Sequence, residues 1–275
     1  MNAAGDLHPA RIAGRCASQR FGHTVVLFDA VESTNTAASA LASLGAPEGT
    51  VVIALRQTAG RGRQGRRWIS TPEGSLVFSI VARPGREPQS LTVLLALAAA
   101  EAIEPLVGGA AIKWPNDIWI GGRKCAGVLA ETSGGSVVLG MGIDVNEGPD
   151  DLPDGLRRTA VSLRMLAGRT LDRGALLVDL LARLSSRYEA WERGGFDPMR
   201  PDAERLLLWM GEAVEVDAGG GRIDSGIVLG LTSQGYLRLG DGSGERIIAA
   251  GDAVRAPRPP WTSRPGGGSG ERGAR

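Results

Sequence analysis

Twelve residues, QTAGRGRQGRRW (57–68), hold four arginines and three glycines with no acidic residue, and they stand between two apolar runs. The run before them, TVVIAL (50–55), reads as a strand, and beyond the Pro72–Gly74 turn so does SLVFSIVA (75–82). Gly60, Gly62 and Gly65 match G-x-G-x-x-G, yet that dinucleotide fingerprint requires a helix to open at once and receive a pyrophosphate. No helix is predicted there. Strands on both sides also separate the stretch from a disordered arginine-glycine tail. What the pattern predicts is a cationic, glycine-rich loop held on a sheet, suited to an anionic guest.

The formal charge of +1 over 275 residues gives no global field for nucleic acid or a membrane, so the loop's arginines act locally. At 43% hydrophobic content the chain is long enough for one large domain and a small one. Two cysteines, Cys16 and Cys125, without a signal-peptide pattern predict a reduced, cytoplasmic setting with neither thiol catalytic. The longest apolar stretch, LTVLLALAAAEAIEPL, contains Glu101 and Glu104 and falls short of the roughly 20 residues of a membrane span, so a buried helix is expected. Of the 31 basic residues only Lys113 and Lys124 are lysines, and they lie together in AIKWPNDIWIGGRKCAG. A compact ammonium and a planar guanidinium are not interchangeable, which singles out Lys113.

Residues 1–20 lack apolar periodicity and read as a loose arm, too short for a DNA-binding module. HTVVLFDAV reads as a strand. ESTNTAASALASLGAP reads as a helix, capped by Ser33 or Thr34, with Ala37, Ala40, Leu41 and Leu44 on its apolar face and Gly45 at its end. Strands are expected at 50–55, 75–82, 110–113, 117–120, 126–132 and 136–143, with a helix at 90–103. A later helix places Leu177, Leu180, Leu181, Leu184, Tyr188 and Trp191 on one face and ends at Gly194; AERLLLWMG reads as a shorter one. The mixture predicts an α+β fold, a mixed and mostly antiparallel sheet backed by helices, over 21–210. Short strands between glycine turns over 211–257 predict a small β-barrel, and 258–275 a disordered tail.

The segments ESTN (32–35), QTAGRGRQGRRW (57–68), KWPND (113–117), GGRKCAGVLAE (121–131) and GMGIDVN (140–146) resemble, in this order and spacing, the biotin protein ligases. The resemblance runs from about residue 24 to 255. It implies the biotin–lipoate ligase catalytic fold, similar to that of class II aminoacyl-tRNA synthetases, with an SH3-like C-terminal barrel. With an arm too short for the repressor domain of the family's bifunctional members, the match is expected to be to the single-function type, without DNA binding. The implied reaction joins biotin and ATP into biotinoyl-5′-AMP, then passes biotin to a lysine of a biotin carboxyl carrier protein domain; ATP arrives with Mg²⁺, for which no ligands are identified.

A carboxylate attacking a phosphate brings two anions together, and fixed cations must offset the repulsion. Arg61, Arg63 and Lys113 are the candidates; Arg66 and Arg67 either assist or are solvated loop residues. By the resemblance Ser33, Thr34, Asn35, Gln57, Gly60, Arg61 and Lys113 bind biotin, while Arg63, Arg66, Trp68, Asn116 and Asp144 bind the adenylate. A ureido ring wants donors and acceptors, which hydroxyls and amides supply, although Ser33 and Thr34 suit helix capping too. Trp68 suits either adenine or a core. In KWPND, Pro115 fixes a turn, Asn116 or Asp117 can bond its own backbone, and a structural role is expected for Asp117. Asp144 departs from the family pattern, which has asparagine there. A carboxylate would repel phosphates but accept from ribose hydroxyls or an adenine amino group.

The alternatives are a lipoate ligase, which shares the adenylation logic, and a non-catalytic RNA-binding module in which the loop clasps phosphates. Only His8 and His23 are present, which argues against histidine acid–base chemistry. A monomer and a homodimer fit the sequence equally.

Overall fold

In a computed structural model, residues 5–242 and 244–256 are described. The elements in chain order are α1 (Pro9–Arg15), β1 (Thr24–Val31), α2 (Thr34–Ser43), β2 (Thr50–Gln57), β3 (Ser75–Ala82), α3 (Leu91–Val107), β4 (Ala111–Lys113), β5 (Asp117–Ile120), β6 (Arg123–Ser133), β7 (Ser136–Asp144), α4 (Leu163–Ala167), α5 (Arg173–Gly194), α6 (Arg200–Arg205), β8 (Ala213–Asp217), β9 (Ile223–Leu231), β10 (Leu237–Gly240), β11 (Glu245–Ile248) and β12 (Asp252–Arg255). Seven strands form one sheet in the order β1-β2-β3-β7-β6-β5-β4. Only β1–β2 is parallel in it. The expected α+β architecture is present.

Strands β3 and β7 lie at the centre of this sheet and are buried along their whole length, which is why both read as continuous apolar runs rather than alternating ones. On one face α3 packs against β6 and β7 and α5 packs on α3, and their Leu94, Leu97, Leu180, Leu184, Tyr188 and Trp191 belong to the main core. The expected apolar face of α5 is buried in full. Its start is capped by Asp172, whose carboxylate accepts from Ala175 N at 2.8 Å, and Gly195 ends it with φ of +74°.

The other face is covered by α2 over a small core of Ala38, Val52, Val81 and Val138. Of the predicted face, Ala37 and Leu41 pack against this core as expected, and the other two positions are corrected. Leu44 is 84% exposed and Ala40 faces solvent, while Thr34, Asn35 and Ala38 are buried. An apolar-stripe reading misplaces the helix because two of its inward positions are polar, and those polar groups are needed inside.

Two further expectations are corrected. Residues 5–20 are not a loose arm: Leu7, Ile12, Cys16 and Phe21 are fully buried, and Asp6 pairs with Arg173 at 2.8 Å. Arg173 in turn donates to Pro72 O and Ser75 O, tying the amino-terminal segment to the turn before β3. The buried positions lie four and five residues apart over helix and loop alike, so no single period reveals them. The AERLLLWMG helix stops at Arg205, because Leu206 O and Leu208 N bond Ile112 on β4, the open edge of the sheet.

The carboxyl-terminal strands form an antiparallel sheet in the order β11-β10-β9-β8-β12. Among the described residues no pairing of β11 with β12 closes it into the expected barrel, and β12 was not foreseen. The expected tail over 258–275 lies outside the described residues. No helix among the described residues is long and apolar enough to cross a membrane. Both cysteines are free and buried, and burial pushes both thiols up, away from the thiolate that nucleophilic chemistry requires.

Candidate active site

The cationic loop folds back on itself beside the sheet. Gly62 N donates to Arg66 O at 2.7 Å and Trp68 N to Gly60 O at 3.0 Å, around a 3₁₀ turn at Arg63–Gly65 in which Gln64 and Gly65 have φ of +56° and +72°. It borders a cavity of about 300 Å³ over the ends of α2 and β2 and the middle of β6 and β7. Ser33, Thr34, Asn35, Gln57, Arg61, Arg63, Arg66, Trp68, Lys113, Asn116 and Asp144 all line it. Gly60 does not. It sits under the loop instead, where a Cβ would meet Trp68 O at 2.5 Å and Gln57 Nε2 at 2.9 Å.

One end of the cavity is a neutral hydrogen-bonding wall. Gln57 Oε1 accepts from Thr34 N at 2.7 Å and from Thr34 Oγ1 at 3.2 Å, while Ser79 Oγ lies 2.8 Å from Thr34 Oγ1. Ser33 starts α2 without a side-chain cap bond. Asn35 is engaged on both sides: Oδ1 accepts from Ser79 at 2.6 Å, and Nδ2 donates to Leu129 O at 3.1 Å and Glu131 at 2.7 Å. Its amide orients the wall. Close backbone approach is required opposite, since a Cβ on Gly140 would lie 1.9 Å from Asn35 Oδ1. Arg61 is drawn to the rim by Glu131 at 2.8 Å.

The cations gather in the middle. Lys113 is 7% exposed, with its Nζ 5.0 Å from the Trp119 ring centre and 6.0 Å from that of Trp209. Arg63 donates to Asn116 Oδ1 at 3.1 Å, and Asn116 Nδ2 donates to Val128 O at 2.9 Å. Asn116 therefore holds an arginine rather than its own backbone. Burial pushes the Arg63 guanidinium down, against Asp117 and Asp252, without threatening its charge.

The far end is built around Trp68. Its indole lies over Gly142, where a Cβ would come within 2.3 Å of the ring, and Lys124 Nζ stands 5.5 Å from the ring centre. Lys124 is held by Asp117 at 2.7 Å. Nearby, burial and then Glu147 push the Asp144 carboxyl well above the ordinary carboxylate range, against the pull of Lys124. Glu147 is 2% exposed and is itself pushed up by burial, although it accepts from Ser75 and Thr71.

These acids have a consequence for stability. A carboxyl whose folded-state pKa is raised contributes stability that is complete below the unfolded value, about 4, and is lost as pH climbs toward the folded value. Asp144→Asn removes the titration, so the variant is expected to gain stability relative to the parent as pH rises above about 4. Melting temperatures measured across that range check it; a pH-independent difference would refute it.

Sequence reading missed Lys124, Trp119, Glu131, Glu147 and Asp252 as cavity or network residues. Only Lys124 carried a signal, as the second of two lysines.

The model of the Biotin/lipoate A/B protein ligase family matches residues 27–146. The biotin–[acetyl-CoA-carboxylase] ligase of Mycobacterium tuberculosis is 35% identical over 232 residues, covering 81% of this chain and 85% of the relative. The chain belongs to the biotin protein ligase family. The corresponding ligase of Paracoccus denitrificans is 33% identical, with 80% of this chain and 96% of the relative covered. Among solved structures, a biotin protein ligase from Aquifex aeolicus in complex with biotin and ATP is similar at a TM-score of 0.76 and 30% identity, covering 85% of this chain and 99% of that one. The motifs that carry the family resemblance, from ESTN to GMGIDVN, are those that meet at the cavity.

Proposed function

We propose that the chain activates biotin with ATP and transfers it to a lysine of a biotin carboxyl carrier domain. The observation that carries this reading is one cavity with three unlike parts in sequence: a neutral polar wall, a cluster of cations around the buried Lys113 and a tryptophan laid over glycine. The names of the relatives and the biotin- and ATP-bound neighbour support the same assignment.

Biotin's ureido ring sits at the wall of Ser33, Thr34 and Gln57, held in shape by Asn35, and its carboxylate points to the cations. A carboxylate oxygen attacks the α-phosphorus of ATP; the bond from that phosphorus to the β-phosphate bridging oxygen breaks, and pyrophosphate leaves. Lys113 and Arg63, with Arg61 and Arg66 at the rim, offset the charge that builds up between the two anions. Asn116 keeps Arg63 aimed, and Trp68 receives the adenine. The loop shields the mixed anhydride from water. The free ε-amine of the carrier lysine then attacks the acyl carbon, AMP departs with the bonding electrons, and the amine's proton passes to solvent. Mg²⁺ enters as part of the Mg·ATP substrate, keeping most of its waters. Among the described residues, no group of three or more His, Cys, Asp or Glu stands together as a dedicated metal site.

Residues 21–210 form the catalytic unit in this proposal, and the carboxyl-terminal sheet is an accessory to it. The test is release of pyrophosphate from Mg·ATP that depends on biotin, followed by mass-spectrometric detection of a biotinylated carrier lysine. Lipoate in place of biotin is expected to support neither step. Turnover with lipoate alone would move the chain to the lipoate ligases, and salt-sensitive RNA binding without ATP consumption would remove it from the enzymes.

A further inference from the structure

The carboxyl-terminal sheet reaches into the cation cluster at one residue. Asp252 is the first residue of β12, set by its pairing with Asp217 on β8. Its Oδ1 lies 2.8 Å from Lys113 Nζ and its Oδ2 3.0 Å from an Arg66 nitrogen. The preceding carbonyl, Gly251 O, accepts from Arg63 Nη1 at 3.3 Å. Two consecutive residues of the small sheet thus engage three of the cavity's cations. Among the described residues Asp252 is the one carboxylate ion-paired with Lys113 or Arg66.

We infer that Asp252 is a placeholder anion, a positioning residue that holds Lys113 and Arg66 before the nucleotide binds and cedes them to the substrate's phosphates. The inference rests on the adenylation reading above. Its physical basis is the cost of a buried ammonium with no counter-ion, increased by two guanidinium groups alongside. A carboxylate supplied by the fold relieves both the desolvation and the mutual repulsion. Burial alone would push the Asp252 carboxyl up, yet Lys113 and Arg66 hold it below its ordinary range, so it is charged at neutral pH. The same charge that assembles the cluster opposes an incoming polyphosphate. Asp252 therefore has effects of opposite sign: it keeps the cations in place for the reaction, and it competes for them with the ligand.

That split separates the inference from a merely structural role, in which both quantities would worsen together. Calorimetric titration of the full chain with inorganic pyrophosphate, and single-turnover formation of the adenylate, are to be compared for the parent, Asp252→Asn and Asp252→Glu. The asparagine variant is expected to bind pyrophosphate about fivefold or more tightly, from loss of one nearby negative charge. It is expected to form the adenylate about tenfold more slowly, from loss of orientation. The glutamate variant keeps the charge and is expected to stay near the parent's pyrophosphate affinity. Unchanged or weaker pyrophosphate binding by Asp252→Asn overturns the inference, as does adenylate formation at the parent's rate. Should the parent itself form no adenylate, the functional reading fails, and the pyrophosphate titrations alone still decide for or against the placeholder.

Discussion

Lys113→Ala is expected to slow biotin-dependent release of pyrophosphate by about 10²- to 10³-fold, the scale for removing one preorganised group that stabilises developing charge. Lys113 is nearly inaccessible to solvent and is flanked by Trp119 and Trp209, so water cannot take over its role cheaply. Lys113→Arg is expected to restore little, because a planar guanidinium does not fit a buried seat shaped for a compact ammonium beside a pair of indoles. Arg63→Ala should fall in the same range, and the double variant should lose less than the product of the two, since both act on one transition state. Single-turnover assays with the biotin concentration varied distinguish a slower chemical step from weaker binding. Normal turnover in both single variants would show that the cluster has been assigned the wrong work.

Gly142→Ala is expected to raise the ATP concentration needed for half-maximal rate about tenfold, the scale of removing an aromatic stacking interaction together with its buried area. On β7, Gly142 stands opposite Val77 on β3 and Gly127 on β6, in the buried middle of the sheet. An added Cβ would lie 2.3 Å from Trp68 Cε2 and 2.5 Å from its Nε1, so the indole has to leave. Biotin affinity is expected to stay within about twofold, because the polar wall at α2 and β2 is built from other residues and distant sites behave independently. Titrating ATP and biotin separately, alongside a melting curve, tests this. The comparison also decides between the two roles that the sequence leaves open for Trp68: if it only packs the core, the melting temperature falls while neither ligand is favoured over the other.

The seven strands of the main sheet were legible because β-branched runs separated by glycine and proline turns carry a local signal, and so does the 3.6-residue period of α5. The loop and its cations were legible for a related reason, that arginine and glycine without acids between strands leave few other readings. At α2 periodicity misleads where function intervenes. Thr34 and Asn35 occupy inward positions that an apolar stripe would reserve for leucine, and the partners across from them, Gln57 and Ser79 with Leu129 O and Glu131, make those positions tolerable. At the amino terminus it misleads because a segment of short helix and loop buries its apolar residues without a period.

By itself, then, the amino-acid order determined the strands of the main sheet, the long helices α3 and α5, and the cationic loop. The tertiary structure alone decided which charge faces which. Asp252 lies 139 residues from Lys113, and Glu131 lies 70 from Arg61. Local propensity reaches only a few neighbours along the chain, whereas Coulombic and hydrogen-bond partners are chosen by distance through space.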